Sequence, residues 1–287
     1  MNIHGFANVL ENGKIRLAAD LSDGFVLLAE DGPGSVDQLI AMAPGQNIVT
    51  EWVQKQREKG ALRSADSLVF APCILNPQKI VMVGLNYRRH AAEVKKPPPA
   101  TPMLFGKFNN SLAAHGETVS LPASVATKFD YEAELVIVIG REAKDVPESS
   151  ALDFVFGYCV GNDLSARDLQ NLTSQYFLGK ALDGFAPIGP TVVPKANIAN
   201  PDALDIRCLV NGELRQNSNT SDMIFGCAAL VSYCSRHFRL KPGDLIFTGT
   251  PEGVIAGAPP ERQKWLTAGD EAIIEIEGLG SLKTVFS

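Results

Sequence analysis

The chain has 287 residues, of which 45% are hydrophobic, 20% charged and 7% aromatic, and its formal net charge is -6. That balance belongs to an ordinary soluble globular protein, long enough for a large core and one or two domains. The negative charge, with no Lys/Arg run or basic helix face to counter it, excludes nucleic acid and anionic membranes as expected partners.

From Met1 to Gly13 there is neither a basic segment nor an apolar one, so neither export nor membrane insertion is expected. Lys14 to Ala19 and Gly24 to Ala29 read as a hairpin around Ser22-Asp23-Gly24, and Ser35-Val36-Asp37-Gln38 has the spacing of a helix capping box. A second helix is expected from about Ile48 to Lys59, with Gly60 as its C-terminal cap. Phe70-Ala-Pro-Cys-Ile-Leu-Asn-Pro77 carries two prolines and marks a boundary. Residues 1–72 are therefore expected to form a small α+β domain, and residues 73–287 the main body.

The body reads as β-rich. Lys79 to Gly84, Leu135 to Ile139, Phe154 to Val160, Ile206 to Asn211, Asp244 to Phe247 and Ala272 to Ile276 are expected strands. Helical pattern is confined to Tyr87 to Lys95, about Ser165 to Thr173, and Ser221 to His237. This distribution predicts a mixed β-rich α+β fold, a folded-over, barrel-like mixed sheet rather than alternating βαβ units. Five cysteines, Cys73, Cys159, Cys208, Cys227 and Cys234, form an odd set without C-x-x-C spacing, which points to buried thiols and the reducing cytoplasm. No phosphate-binding glycine loop, no G-x-S-x-G elbow and no H-E-x-x-H occurs; the histidines are His4, His90, His115 and His237.

The most informative stretch is Asp130-Tyr-Glu-Ala-Glu-Leu-Val-Ile-Val-Ile-Gly140. Residues i and i+2 of a strand share a face, so Glu132 and Glu134 are expected roughly 7 Å apart at the start of a buried strand. Two buried carboxylates repel, and a divalent cation would compensate them. In isolation the pair fits an exposed strand end with two solvated glutamates just as well.

Gly161-Asn162 is then expected to turn the chain into a helix with Asp163 as its N-cap. On that helix Arg167 and Gln170, at i+4 and i+7, would share the face of Asp163 as anion-binding donors. Three hard oxygen ligands without Cys or His favour Mg²⁺ or Mn²⁺, with Ca²⁺ as a substitute in a crystal.

Taken together, Lys79-Ile-Val-Met-Val-Gly-Leu-Asn-Tyr87, Asp130-Tyr-Glu-Ala-Glu134, Gly161-Asn-Asp-Leu-Ser-Ala-Arg-Asp168, Gly179-Lys180 and Gly243-Asp-Leu-Ile-Phe-Thr-Gly-Thr-Pro-Glu-Gly253 resemble the fumarylacetoacetate hydrolase superfamily. The likeness runs from about Asn76 to the C-terminus. It is strongest to the shorter acylpyruvase-like members and the 2-hydroxyhepta-2,4-diene-1,7-dioate isomerase-like ones. What the resemblance implies is a metal held by Glu132, Glu134 and Asp163, with Lys180 stabilising developing negative charge. It also implies a substrate loop at Thr248-Gly249-Thr250 and a catalytic pair, His90 and Glu93, three apart on one helix face. A homodimer built through the β-rich body is implied too. Phe105-Gly-Lys-Phe-Asn-Asn-Ser-Leu112 departs from the family pattern, as does His115-Gly116, and both are expected in the substrate-facing half of the pocket.

The leading functional expectation is hydrolysis of a carbon–carbon bond in a small 1,3-dicarbonyl or 2-oxo acid, of acylpyruvate, fumarylpyruvate or fumarylacetoacetate type. The alternative is an oxaloacetate-type decarboxylase or a dienoate isomerase or tautomerase on the same metal site. A non-catalytic scaffold would be expected to have lost a ligand or the lysine, and this sequence keeps all of them.

Overall fold

The computed structural model describes residues 2–28, 32–43, 45–60 and 62–287. The two ends of the expected N-terminal segments that fall on Met1 and Ala29 lie outside the described residues.

The centre of the molecule is the strand Ala133–Ile139, in which every residue is buried. Its run of β-branched side chains suits a strand covered on both faces. It pairs antiparallel with Val155–Asn162 (Leu135 opposite Val160) and with Leu245–Phe247 (Ile137 opposite Ile246). Leu245–Phe247 continues in parallel to Ile80–Gly84, which pairs antiparallel with Met103–Lys107. On the other side, Val155–Asn162 pairs with Ala186–Pro194, and that strand pairs with Ile3–Glu11 through Phe6 and Val192. Lys14–Leu21, Gly24–Leu27 and Leu62–Arg63 extend this mixed sheet, and Leu112–Ala113 completes it by pairing in parallel with Ala186–Pro194. It ends in edge strands, so the folded-over mixed sheet expected from the sequence is present without closing into a barrel.

A second, five-stranded sheet contains Glu213–Asn219, Asp205–Val210, Glu271–Ile276, Gly280–Phe286 and Thr118–Val119, in that order. Alternation along the central strand divides the interior. Leu135, Ile137 and Ile139 face a core shared with the second sheet and with the helix Cys227–His237. Val136 and Val138 face a core filled by Leu17, Val36, Leu39 and Val53 of the N-terminal segment together with Ile188, Val192 and Phe247.

The capping reading at Ser35 holds: it is the N-cap of Val36–Met42, and its hydroxyl accepts from the Gln38 N–H. The Gln38 side chain reaches back one residue further than a standard box, to Gly34 N–H. The next helix spans Gln46–Glu58, and Gly60 follows with φ +76°, a value that suits glycine. Two helices are shorter than expected, Arg88–Glu93 and Cys227–His237. Ser221 lies instead in a single 3₁₀ turn, Thr220–Asp222, because Asn219 caps that turn through Ser221 N–H. Several strands gave no clear signal in the sequence. Ala186–Pro194 contains Pro187, Gly189, Pro190 and Pro194, residues that ordinarily break a strand, and its register with Val155–Asn162 shifts between Tyr158 and Val160.

Candidate metal centre and active site

The register of the main sheet brings the site together. Ala133 lies opposite Asn162, so residues 132–134 of one strand meet residues 161–163 at the end of its neighbour. Asp163 N–H donates to Glu132 O at 2.9 Å, and Glu132 N–H donates to the Asn162 side chain at 3.1 Å. Gln216, reaching across from the second sheet, accepts from Ala133 N–H at 2.9 Å. One carboxylate oxygen from each of Glu132, Glu134 and Asp163 lies within 4.8 Å of the others, and all three residues are buried.

Asp163 does not cap a helix. The chain stays extended through Ser165–Ala166, which pairs with Phe129–Asp130, and the short helix Arg167–Gln170 begins only after it. The reason is in the partners of the carboxylate: its two oxygens bind lysines, Oδ1 to Lys107 Nζ at 2.6 Å and Oδ2 to Lys180 Nζ at 2.7 Å. Arg167 is likewise engaged by acids. Its guanidinium meets Asp130 at 2.8 Å and Glu132 Oε1 at 2.7 Å, and its remaining arm donates to Gln170 Oε1 at 3.0 Å. Lys180 Nζ also meets Glu132 Oε2 at 2.8 Å.

Glu134 differs from its neighbours. Its Oε2 accepts the Gly249 N–H at 2.8 Å, and among the described residues it forms no ion pair. Burial, reinforced by the charges of Asp163 and Glu132, pushes its pKa well above the usual carboxylate range. For Glu132 burial acts the same way, but Lys180 and Arg167 outweigh it and hold the group down to about 2. Four acids, Asp130, Glu132, Glu134 and Asp163, stand against three cations, Lys107, Arg167 and Lys180, so ionising Glu134 leaves one negative charge in excess, which a bound cation would balance. An all-oxygen donor set with that surplus fits a hard divalent cation.

Gly249 is required where it stands. Its φ is +94°, and a Cβ there would lie 2.8 Å from Asn86 Cβ. The sequence reading placed Gly249 and Thr250 against substrate. In the structure the Gly249 N–H serves Glu134, whereas Thr250 lines the cleft and its hydroxyl accepts from Gln216 Nε2 at 2.9 Å.

His90 and Glu93 come together as the helical spacing anticipates, with His90 Nδ1 2.9 Å from Glu93 Oε2. The other oxygen of Glu93 accepts the Gly253 N–H at 2.9 Å, and Gly257 packs so closely that a Cβ would sit 2.3 Å from Glu93 Cδ. His90 opens onto a cleft of about 160 Å³ together with the three carboxylates, Lys180, Arg167, Gln170 and Thr250. Val83, Leu85, Val94, Met103, Phe105 and Tyr176 add apolar surface to the same cleft.

Two residues of the site escaped the sequence reading. Lys107 has a fully buried side chain and bonds Leu164 O at 3.1 Å and Phe185 O besides Asp163. Asp130 accepts N–H groups from Tyr131, Ile255 and Ala256 as well as Arg167, which moors the loop that follows Gly253. Neither could be found from spacing, because their partners lie far along the chain; the only signal was that each sits beside a motif residue. His115 is a correction in the other direction. It lies away from the cleft, packed edge-on to Phe70 at 5.4 Å and accepting from Lys283 N–H at 3.2 Å.

Residues 79–287 match the family model described as fumarylacetoacetate (FAA) hydrolase C-terminal. Over 261 residues the chain is 39% identical to the oxaloacetate tautomerase YisK of Bacillus subtilis, covering 87% of this chain and 85% of that protein. A fumarylacetoacetate hydrolase from psychrophilic Exiguobacterium antarcticum superposes with a TM-score of 0.87 at 30% identity, over 99% of both chains. Fumarylpyruvate hydrolase from Pseudomonas aeruginosa, solved in complex with Mn²⁺ and pyruvate, superposes with a TM-score of 0.66 at 36% identity, over 74% of this chain and 90% of that one. By its motifs, its fold and these likenesses, the chain belongs to the fumarylacetoacetate hydrolase family.

Proposed function

We propose that this protein is a Mg²⁺- or Mn²⁺-dependent hydrolase that cleaves a carbon–carbon bond in a small 1,3-dicarbonyl or 2-oxo acid of the acylpyruvate type. The observation that carries hydrolysis is the His90–Glu93 pair, 2.9 Å apart and opening onto the same cleft as the carboxylates. Glu132, Glu134 and Asp163 would hold the cation. When bound, it supplies Lewis acidity toward the 2-oxo carboxylate end of the substrate.

Glu93 accepts from His90 Nδ1–H, which leaves Nε2 as the base and stabilises the imidazolium that forms. His90 takes a proton from water as the hydroxyl adds to the acyl carbonyl. The bond between that carbon and the methylene then breaks, the acyl half leaves as a carboxylic acid, and the other half leaves as an enolate that is protonated at carbon. Lys180 meets the charge that develops on the enolate oxygen. Arg167, Gln170 and Thr250 line the cleft within reach of the carboxylate end.

A tautomerase or decarboxylase reading is supported by the likeness to YisK, which is named as an oxaloacetate tautomerase. Those reactions need the enolate without an attacking water. His90→Ala separates the readings: hydrolysis predicts a fall in kcat of ~10²- to 10⁴-fold on the best acylpyruvate, the range for losing a general base. Near wild-type turnover of that variant would overturn the hydrolytic mechanism in which His90 activates water. The proposal includes a cytoplasmic homodimer. Five buried, free cysteines suit a reducing compartment, and a monomer in sedimentation at micromolar concentration would refute the dimer.

A further inference from the structure

Every oxygen of Glu132 and Asp163 already has a cationic partner. Glu132 offers Oε1 to Arg167 and Oε2 to Lys180; Asp163 offers Oδ1 to Lys107 and Oδ2 to Lys180. The three cations are not held alike. Lys107 is fixed by two main-chain carbonyls, and Arg167 by Asp130 and Gln170. Among the described residues Lys180 donates only to the two carboxylates, and its ammonium also lies 5.6 Å from the ring of Phe105, which lines the cleft.

We propose that Lys180 and the divalent cation are alternative occupants of the same Glu132 and Asp163 oxygens, so that loading the metal releases Lys180 into the cleft to meet substrate. This rests on the metal-site reading above. Without the cation, Lys180 bridges two buried carboxylates that would otherwise repel. With it, the ammonium turns away from two oxygens that now face a stronger positive charge, and toward the only anion left to bind, the substrate. The main chain is pinned during the exchange. A Cβ at Gly179 would lie 2.4 Å from Gln170 N and 2.5 Å from Ala166 O, so the short helix Phe177–Lys180 is tightly seated and the change is a rotation of the side chain.

Removing Lys180 orphans neither carboxylate, because Arg167 and Lys107 remain; it only relieves repulsion between ammonium and metal. Mn²⁺ affinity, read from the free-Mn²⁺ electron paramagnetic resonance signal, should therefore be at least about tenfold tighter in Lys180→Met than in wild type. The same variant should lose hydrolytic activity, a split that a merely structural lysine would not produce. Equal or weaker Mn²⁺ binding by a folded variant overturns the competition. Mn²⁺ binding to neither protein overturns the metal site itself. Should Lys180→Met fail to fold without metal, the wild type answers directly: Mn²⁺ should speed acetylation of Lys180 by an N-hydroxysuccinimide ester, followed by mass spectrometry. Unchanged or slower labelling overturns the proposal.

Discussion

Two ends of one face of the central strand solve opposite problems with the same backbone. Val136 and Val138 pack into the core closed by the N-terminal segment, where the buried side chains are almost all hydrocarbon. Two residues earlier, Glu132 and Glu134 enter a cluster in which four buried acids meet three buried cations. The apolar end contributes stability through area removed from water. The charged end contributes little or costs, since desolvating ions offsets most of their attraction, and its value lies in a fixed geometry for chemistry. Substitutions in the two regions should therefore separate activity from stability.

The largest expected effect is at the charged end. Glu134→Gln and Asp163→Asn should each lower kcat/KM by at least about a thousandfold, because a hard-cation site is left with two anionic ligands. Circular dichroism and melting should nonetheless show Glu134→Gln folded and, without metal, at least as stable as wild type, since the amide keeps the acceptor for Gly249 N–H and replaces a carboxyl whose ionised form burial disfavours. A metal-free melting temperature well below wild type would break the comparison. Glu93→Gln should fall between these and wild type: the carbonyl can still accept from Gly253 N–H, but the amide donates to His90 Nδ1 and favours the wrong tautomer.

At the apolar end the order reverses. Leu39→Ala, in a helix of the N-terminal segment packed on that core, should cost about 2–5 kcal/mol in denaturant unfolding while kcat per folded molecule is unchanged. A large loss of kcat with little loss of stability would show that the N-terminal segment shapes the cleft. Ser35→Ala, which removes a helix cap, should cost about 1 kcal/mol by the same measurement.

The smallest effect is a dependence on pH. Burial raises the Asp20 carboxyl above its ordinary 3.8, with His4 opposing. The folded state therefore holds that proton longer than the unfolded chain does, so this group's contribution to stability is present below pH 3.8 and lost as pH rises through its folded value. Asp20→Asn should raise the melting temperature slightly at neutral pH and leave it unchanged in strong acid. A gain that is the same at both would remove burial as the cause.

What was legible in the sequence follows from the range of the interactions. Alternation and β-branching exposed Ala133–Ile139, and i, i+2 and i, i+3 spacing exposed Glu132 with Glu134 and His90 with Glu93, because those signals are local. Strands such as Ala186–Pro194 were hidden by prolines that a sheet tolerates only where its register shifts. The helix expected after Asp163 is shorter, Arg167–Gln170, and Asp163 does not cap it, because lysines from other segments take both of its oxygens. Lys107 and Asp130 were hidden for the same reason. In the segment Phe105 to Leu112, Phe105 lines the cleft and Lys107 reaches Asp163, while Asn109 and Asn110, after the lysine where the family pattern is left, stay exposed. No helix among the described residues is long and apolar enough to cross a membrane, in keeping with the length of the apolar runs.

In the function proposed above, three buried carboxylates at the end of one strand pair hold the divalent cation on which activity depends. Titration calorimetry of the chelator-treated protein with Mn²⁺, run beside an acylpyruvate assay on the same samples, tests it most directly. The account predicts one Mn²⁺ bound per chain in wild type, none in Glu134→Gln at the same concentrations, and turnover that follows occupancy. Full turnover in a metal-free preparation, or Mn²⁺ binding undiminished by Glu134→Gln, would contradict it.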